Sequence, residues 1–485
     1  MNIRSALAYS FGTRYAATAV QFVSTLILAR LLSPSEIGIY SVGASVIMIA
    51  HTLRDFGTST YVIQEHELTP ARLRTAFTLT VAIAWALALI LYFSAAPLGV
   101  FYSEPGVALV MQVMAFNFAL IPFGSISGAI LRREMRFRAL MYIAVLSTLV
   151  NSLSAVVFAS LGFGFISLAW SAVLGTATTV IGNWIAERKA FLMWPSLVER
   201  RRVLAFSLRS SVSSIAAEAG HAAPDIVLGK TIGMEGTGLF SRALGYVQIF
   251  ERLLQDGLRS VMLPYLSEQF RSGGDVRAKL QAAAPNIVSI SLLIIGLTGT
   301  LADTAIAVLF GPQWNDAVPA AQLLCVGMAL RSLSPTLAAA MVATEGIAKI
   351  MQVNLLATAA KFALLIALSG HGLTLAAAGF VGAEITGIMI LLFKCRKNKI
   401  FGFRDYFEIM IRASPPSIAG CATAWLIENN LANIDDLFGQ TLKLAISASA
   451  AIAVWFFVVW SANTAPKAEL QRIFSAIKRR ARKNR

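Results

Sequence analysis

Ionisable side chains inside long apolar runs carry the chemical information in this sequence. Each costs about 2.5–3.5 kcal/mol at the centre of a membrane helix unless a partner or water meets it. Ser211, Ser214, Glu218, His221 and Asp225 follow one another at spacings of three, four, three and four, which places them on one face of a helix. A polar stripe of that length cannot face lipid. Glu218, His221 and Asp225 are the candidates for ion or proton coupling, since a carboxylate out of water can load and release a proton. A structural polar seam accounts for the same three residues, and both readings stand.

The cations form a second set. Arg252, Asp256 and Arg259 share a face at the end of one apolar run, with Arg242 and Tyr246 two to three turns back along it. The run 37–58 closes on His51, Arg54 and Asp55, the first run opens at Arg14, and Arg331, Lys361 and Glu384 lie near the middles of three others. Several Arg and Lys facing one wet cavity in a low-dielectric wall can hold a multiply charged anion such as a diphosphate far more tightly than a surface can. Arg331 and Lys361 are the deepest, where snorkelling rescues a charge least. The competing reading makes Arg54 with Asp55, and Arg252 with Asp256, local ion pairs at helix ends. No phosphate-cradling glycine loop, metal-ligand cluster or nucleophile motif is present, and the four histidines are scattered. Neither catalysis nor a cofactor is expected, and Cys325, Cys395 and Cys421 read as small buried residues rather than a disulfide framework or metal site.

These residues must be positioned by fourteen apolar runs, near 11–32, 37–58, 75–97, 107–130, 139–161, 165–186, 203–229, 237–261, 285–309, 318–342, 350–370, 373–393, 409–428 and 441–461. Each approaches the ~20 residues of a spanning helix, in which every backbone N–H and C=O is paired within its own segment. Of the 485 residues 57% are hydrophobic and 14% charged, with mean hydropathy +0.69, against about 45–50% and 25% in ordinary soluble domains. The chain is expected to be an all-α integral membrane protein. Its first run is longer than a signal-peptide core and is followed at once by another, so it reads as retained.

Every second connection is basic: Arg72 and Arg74, RREMRFR at 132–138, the stretch 187–202, Arg271 with Arg277 and Lys279, Lys349, KCRKNK at 394–399, and the tail. FSAAPLGVFYSEPG, LGFG, FGPQWNDA, SGHG and NNLANIDDLFG, which alternate with them, hold no Arg or Lys. The bias predicts both termini in the cytoplasm and explains the net charge of +16 without nucleic acid. Arg30 and Lys230 break the pattern and read as snorkelling at the outer interface. In the tail, Leu470, Ile473, Phe474 and Ile477 fall at helical spacing against a basic face, suited to anionic headgroups or to a disordered charged tail. No outer connection is long enough for a catalytic domain.

The stretch 28–41, LARLLSPSEIGIYS, returns as 228–241, LGKTIGMEGTGLFS, pairing Leu28 with Leu228, Gly38 with Gly238 and Ser41 with Ser241. Gly57 and Gly257 then follow at equal distance. A tandem of two similar helical halves is the simplest account.

LARLLSPSEIGIYS, LRDFGTSTYVIQE at 53–65 and PDIVLGKTIGMEGTGLFSRA at 224–243 resemble the polysaccharide-transporter branch, the Wzx-type flippases, of the multidrug, oligosaccharidyl-lipid and polysaccharide exporter superfamily. The resemblance implies a multidrug-exporter-like or lipid II flippase-like fold. It consists of two pseudo-symmetric six-helix lobes around a central cavity, plus two C-terminal helices. The expected layout is an N-terminal lobe at 1–202, a C-terminal lobe at 203–393, a basic loop with the last two helices at 394–464, and a basic tail at 465–485. It further implies alternating-access transfer of undecaprenyl-diphosphate-linked oligosaccharide across the bacterial inner membrane for exopolysaccharide, capsule or O-antigen, alongside a polymerase and a chain-length regulator. Arg14, Arg54 and Arg259 match by position the diphosphate-binding arginines of the lipid II branch, although the longer basic run that branch carries after its second helix is missing here. Coupling to protons or sodium is open. Competing expectations are a drug or cation exporter or a lipid II flippase of the same superfamily, and a membrane glycan polymerase or ligase.

Overall fold

A computed structural model describes residues 3–55, 58–188, 193–198, 200–398, 400–431 and 437–461, with the side chains of 3–16, 55, 200–214, 250–261, 345 and 347 outside the description. Among the described residues every regular element is helical: α1 (Ile3–Leu31), α2 (Pro34–Asp55), α3 (Thr58–Gln64), α4 (Pro70–Tyr102), α5 (Pro105–Leu120), α6 (Pro122–Arg133), α7 (Phe137–Ser160), α8 (Ile166–Ala186) and α9 (Arg200–Thr231). There follow α10 (Gly233–Arg271), α11 (Val276–Thr300), α12 (Ala302–Phe310), α13 (Val318–Leu330), α14 (Ser334–Glu345), α15 (Ile347–Ser369), α16 (Leu373–Lys397), α17 (Phe403–Asn430) and α18 (Leu437–Ser461).

Local chemistry sets the ends. Thr69 accepts from the Arg72 N–H and Pro70 opens α4, while Ser103 closes it in the left-handed region at φ 56°. Asp275 caps α11 through the Ala278 N–H. Many large apolar side chains are exposed, and small polar ones lie buried between helices. Phe93 is 71% and Phe457 72% exposed, whereas Thr80, Ser127, Ser171, Ser289 and Thr298 are buried between helices. Among the described residues eight helices are long and apolar enough to cross a membrane, or nine if the bent pair α5 and α6 is one span. The chain is an all-α, multi-pass membrane protein. The other expected segments are helices too, α1, α8, α9, α10 and α17.

Three expected single helices are broken. The segment 107–130 bends by 52° between α5 and α6, because Pro122 has no N–H to offer the preceding turn. In the segment 318–342, a 3-10 stretch at Arg331–Leu333 separates α13 from α14 ahead of Pro335. The segment 285–309 likewise divides at Leu301 into α11 and α12.

The chain forms two compact units, 1–241 and 242–485. In the first, α5 packs on α4, α2 and α8, and α7 on α1 and α8; in the second, α13 packs on α11 and α16, and α15 on α16. The broken helix thus packs on an earlier helix and on a later helix of its unit in both cases, while the α2 contact of the first unit has no counterpart among the described residues of the second. Within the first unit the repeated stretches meet. A methyl group on Gly38 would overlap the Met234 carbonyl, and one on Gly238 the Pro34 carbonyl, so only glycine allows this backbone approach of α2 and α10.

Candidate functional site

In the second unit, three charges that the sequence placed on separate helices converge. Glu384 of α16 receives Lys361 Nζ of α15 on Oε1 at 2.7 Å and Arg331 Nη1, at the α13 break, on Oε2 at 3.1 Å. Its side chain is 10% exposed, Lys361 14% and Arg331 25%. Lys361 also lies 4.5 Å over the Phe380 ring. Two cations share one carboxylate, so the cluster carries one formal positive charge among apolar helices.

Arg242 of α10 has another environment. Its guanidinium stacks 5.0 Å from the Phe310 ring and 4.7 Å from Trp314, and Trp314 is fully buried. An aromatic clamp of this kind offsets part of the cost of placing the charge. Tyr246, one turn on, donates to the Thr298 carbonyl at 2.9 Å.

In the first unit, Asp225 of α9 accepts hydrogen bonds from Ser45 of α2 at 2.8 Å and from Ser241 of α10. The Tyr102 hydroxyl donates to the neighbouring Ile226 carbonyl at 3.0 Å. This carboxylate pins three helices beside the Gly38 and Gly238 contact. Glu218 is half-buried and His221 exposed on the same helix, so only Asp225 of that predicted trio has these partners. Arg54 is half-buried in the last turn of α2, and His51 stacks on Phe118 at 4.5 Å. Arg14, Asp55, Arg252, Asp256 and Arg259, with Ser211 and Ser214, lie outside the described side chains. No group of three or more His, Cys, Asp or Glu able to hold a metal occurs among the described residues.

Several contacts escaped the sequence reading. Arg133 donates to the carbonyls of Val62, Ile63, Glu65 and His66, capping α3 from α6. Lys230 donates to the Phe101 carbonyl at 2.5 Å. Glu428 of α17 accepts from Thr304 and lies 3.7 Å from Lys443 of α18. Asp405, two residues into α17, accepts from Arg277 at 2.9 Å, from Gln281 at 2.8 Å and from the Gly402 N–H at 2.8 Å. Burial raises the Asp405 carboxyl, but the Arg277 and Gly402 hydrogen bonds, the Arg277 charge and Gln281 together hold it below the usual carboxylate range.

The chain is similar to known proteins over much of its length. It is 29% identical to the succinoglycan biosynthesis transport protein ExoT of Rhizobium meliloti over 63% of this chain and 62% of that protein. It is 24% identical to the lipopolysaccharide biosynthesis protein WzxC of Escherichia coli over 64% of each. Both matches cover less than two thirds of the relative. The inward closed structure of the lipid II flippase MurJ superposes with TM-score 0.73 over 93% of this chain and 99% of that one, at 12% identity, which shows a shared fold. The model of a family described as polysaccharide biosynthesis proteins matches residues 27–319. The chain belongs to that family of polysaccharide biosynthesis proteins.

Proposed function

We propose that this protein is a fourteen-helix flippase rather than an enzyme. Its cargo is a polyprenyl-diphosphate-linked oligosaccharide, in bacteria carried on undecaprenyl diphosphate. It moves this cargo from the cytoplasmic to the outer leaflet of the inner membrane for surface polysaccharide synthesis. The observation that carries the reading is the Arg331, Glu384 and Lys361 cluster, a net positive group held among apolar helices. The names of the relatives support the cargo class, since ExoT is named for succinoglycan transport and WzxC for lipopolysaccharide biosynthesis.

The physics of the task matches these residues. A sugar diphosphate cannot enter hydrocarbon, whereas its polyprenyl chain is at home there, so only the headgroup needs a polar path. Arg331 and Lys361, with Arg14, Arg54, Arg242, Arg252 and Arg259, supply cations along that path. Glu384 keeps two of them partly neutralised, so that an arriving diphosphate competes for them and can leave again. Transport has direction only if affinity differs between inward- and outward-open states, through a proton or sodium gradient acting on Glu218, His221 or Asp225, or through consumption of the cargo by a polymerase with its chain-length regulator. We place both termini in the cytoplasm, with lobes at 1–202 and 203–393, the last two helices in 394–464 and a basic tail at 465–485.

Arg54→Ala, Arg259→Ala and Lys361→Ala should each lower polysaccharide export in cells while membrane abundance stays normal. Wild-type export by all three variants would refute the cationic path.

A further inference from the structure

The connection that leaves α8 is tied down at three points and turns apolar side chains outward between them. At its start, Ser127 Oγ of α6 donates to the Glu187 carbonyl at 3.2 Å, and Arg136 donates to the Glu187 carboxylate at 3.0 Å. Met193 packs against the apolar cluster of Tyr61, Val62, Phe77 and Ile126. The Ser196 N–H donates to Thr78 Oγ1 of α4 at 2.9 Å, and that hydroxyl in turn donates to the Arg74 carbonyl. Around these tethers Trp194 is 79%, Leu197 47% and Val198 83% exposed. Large apolar side chains fixed outward together mark a contact surface.

The face of α4 that holds the loop gives its depth. Trp85 and Leu89 stand seven and eleven residues after Thr78, so they share its face, about 10 and 16 Å further along the axis. Both are exposed, on a helix long and apolar enough to cross a membrane. Arg74, one turn before Thr78 on the same face, is exposed and basic. The loop thus attaches between the charged and the apolar parts of one stripe, the level at which Trp is enriched in membrane proteins. Charge selects what it meets there. Residues 187–202 hold Arg188, Lys189, Arg200, Arg201 and Arg202 against Glu187 and Glu199, and Glu187 is already paired with Arg136. Arg188 is exposed.

We propose that residues 194–198, with Arg74 and Arg188, bind anionic phospholipid headgroups. Trp194, Leu197 and Val198 seat against the glycerol and upper acyl segments, and the two arginines meet the phosphates. On the orientation proposed above, this is the cytoplasmic leaflet. The site uses none of Arg331, Glu384 and Lys361 and does not depend on what the protein carries.

Val198→Cys, in full-length protein with Cys325, Cys395 and Cys421 replaced by alanine, takes an NBD label at an exposed position. In nanodiscs of phosphatidylcholine and phosphatidylglycerol in equal parts, a lipid with a doxyl group near its headgroup should quench this label. Aqueous iodide should quench it several-fold less than a label at Ser272. Ser272 follows α10, whose 39 residues extend about 58 Å, more than the ~40–45 Å of a whole bilayer, so it serves as the aqueous reference. Arg74→Gln with Arg188→Gln keeps the apolar face and the Thr78 contact. This pair should raise the phosphatidylglycerol fraction needed for half of the quenching at least five-fold, about the effect of one surface cation. Iodide access equal to that at Ser272 would overturn the proposal. Shielding from iodide without doxyl quenching would also overturn it, assigning the surface to a protein contact. Equal quenching with and without phosphatidylglycerol, or no change in the arginine variant, would rule out recognition of the anionic headgroup.

Discussion

Glu384 is the residue on which the electrostatics of the second unit turn. With its carboxylate present, Lys361 and Arg331 each have a counter-ion at 2.7 and 3.1 Å; with a neutral amide there, two cations would face each other across an apolar interior. Removing one partner of a buried ion pair typically costs about 3–5 kcal/mol. Glu384→Gln should therefore lower the thermal midpoint of the purified protein, and it should bind inorganic pyrophosphate more tightly because the Glu384 carboxylate no longer competes for the cations. Calorimetric titration of the variant against wild type checks the second point, and weaker binding would count against competition. Asp405 gives a pH signature. Its folded-state carboxyl titrates below its unfolded value, so its contribution is complete above about pH 4 and is lost as pH falls through the lower folded value. Unfolding measured on the acid side should show a stability loss that Asp405→Asn lacks. Depth in an apolar run made Arg331, Lys361 and Glu384 legible in the sequence, because lipid penalises them there. The same argument is silent on Asp405, which sits at a helix start where a polar group costs little and whose partner Arg277 lies 128 residues away.

Among elements, breaks and close approaches matter more than helix count. The spacing of apolar residues located the helices, but periodicity continues across Pro122 and Pro335, so a scan for apolar runs reads each broken segment as one helix. Proline was the available signal. The repeat was legible as Gly38 matched to Gly238; that the two glycines touch was not, since a repeat gives equivalence and contact needs the fold. Alanine at Gly38 would place a carbon against the Met234 carbonyl, a backbone atom that cannot swing aside. Overpacking of this kind costs about 1–3 kcal/mol. Gly245, on α10 with nothing within 4 Å of an added carbon, is the internal control, where alanine should stabilise by roughly 0.5–1 kcal/mol through helix propensity. Thermal unfolding of Gly38→Ala and Gly245→Ala should thus move in opposite directions. A common direction would mean that the Gly38 contact is looser than it stands.

For the molecule as a whole, the proposed orientation in the bilayer rests on the distribution of basic residues, and the proposed direction of transport rests on that orientation. Some of the charge in the basic connections is engaged in folding: Arg133 caps the end of α3, and Arg136 pairs with Glu187 at 3.0 Å. Insertion is decided on nascent segments, where these arginines still count as positive charges, so the bias should hold regardless of their final partners. With Cys325, Cys395 and Cys421 replaced, single cysteines at Gly162 and His371 should react with an impermeant maleimide in intact cells. Cysteines at Met135 and Lys397 should react only after permeabilisation. All four positions are exposed, so a negative result reports side rather than burial. The inverse pattern would put the basic connections outside and overturn the proposed orientation. A mixed pattern would break the alternation of connections and require a different number of crossings between residues 135 and 162, or between 371 and 397.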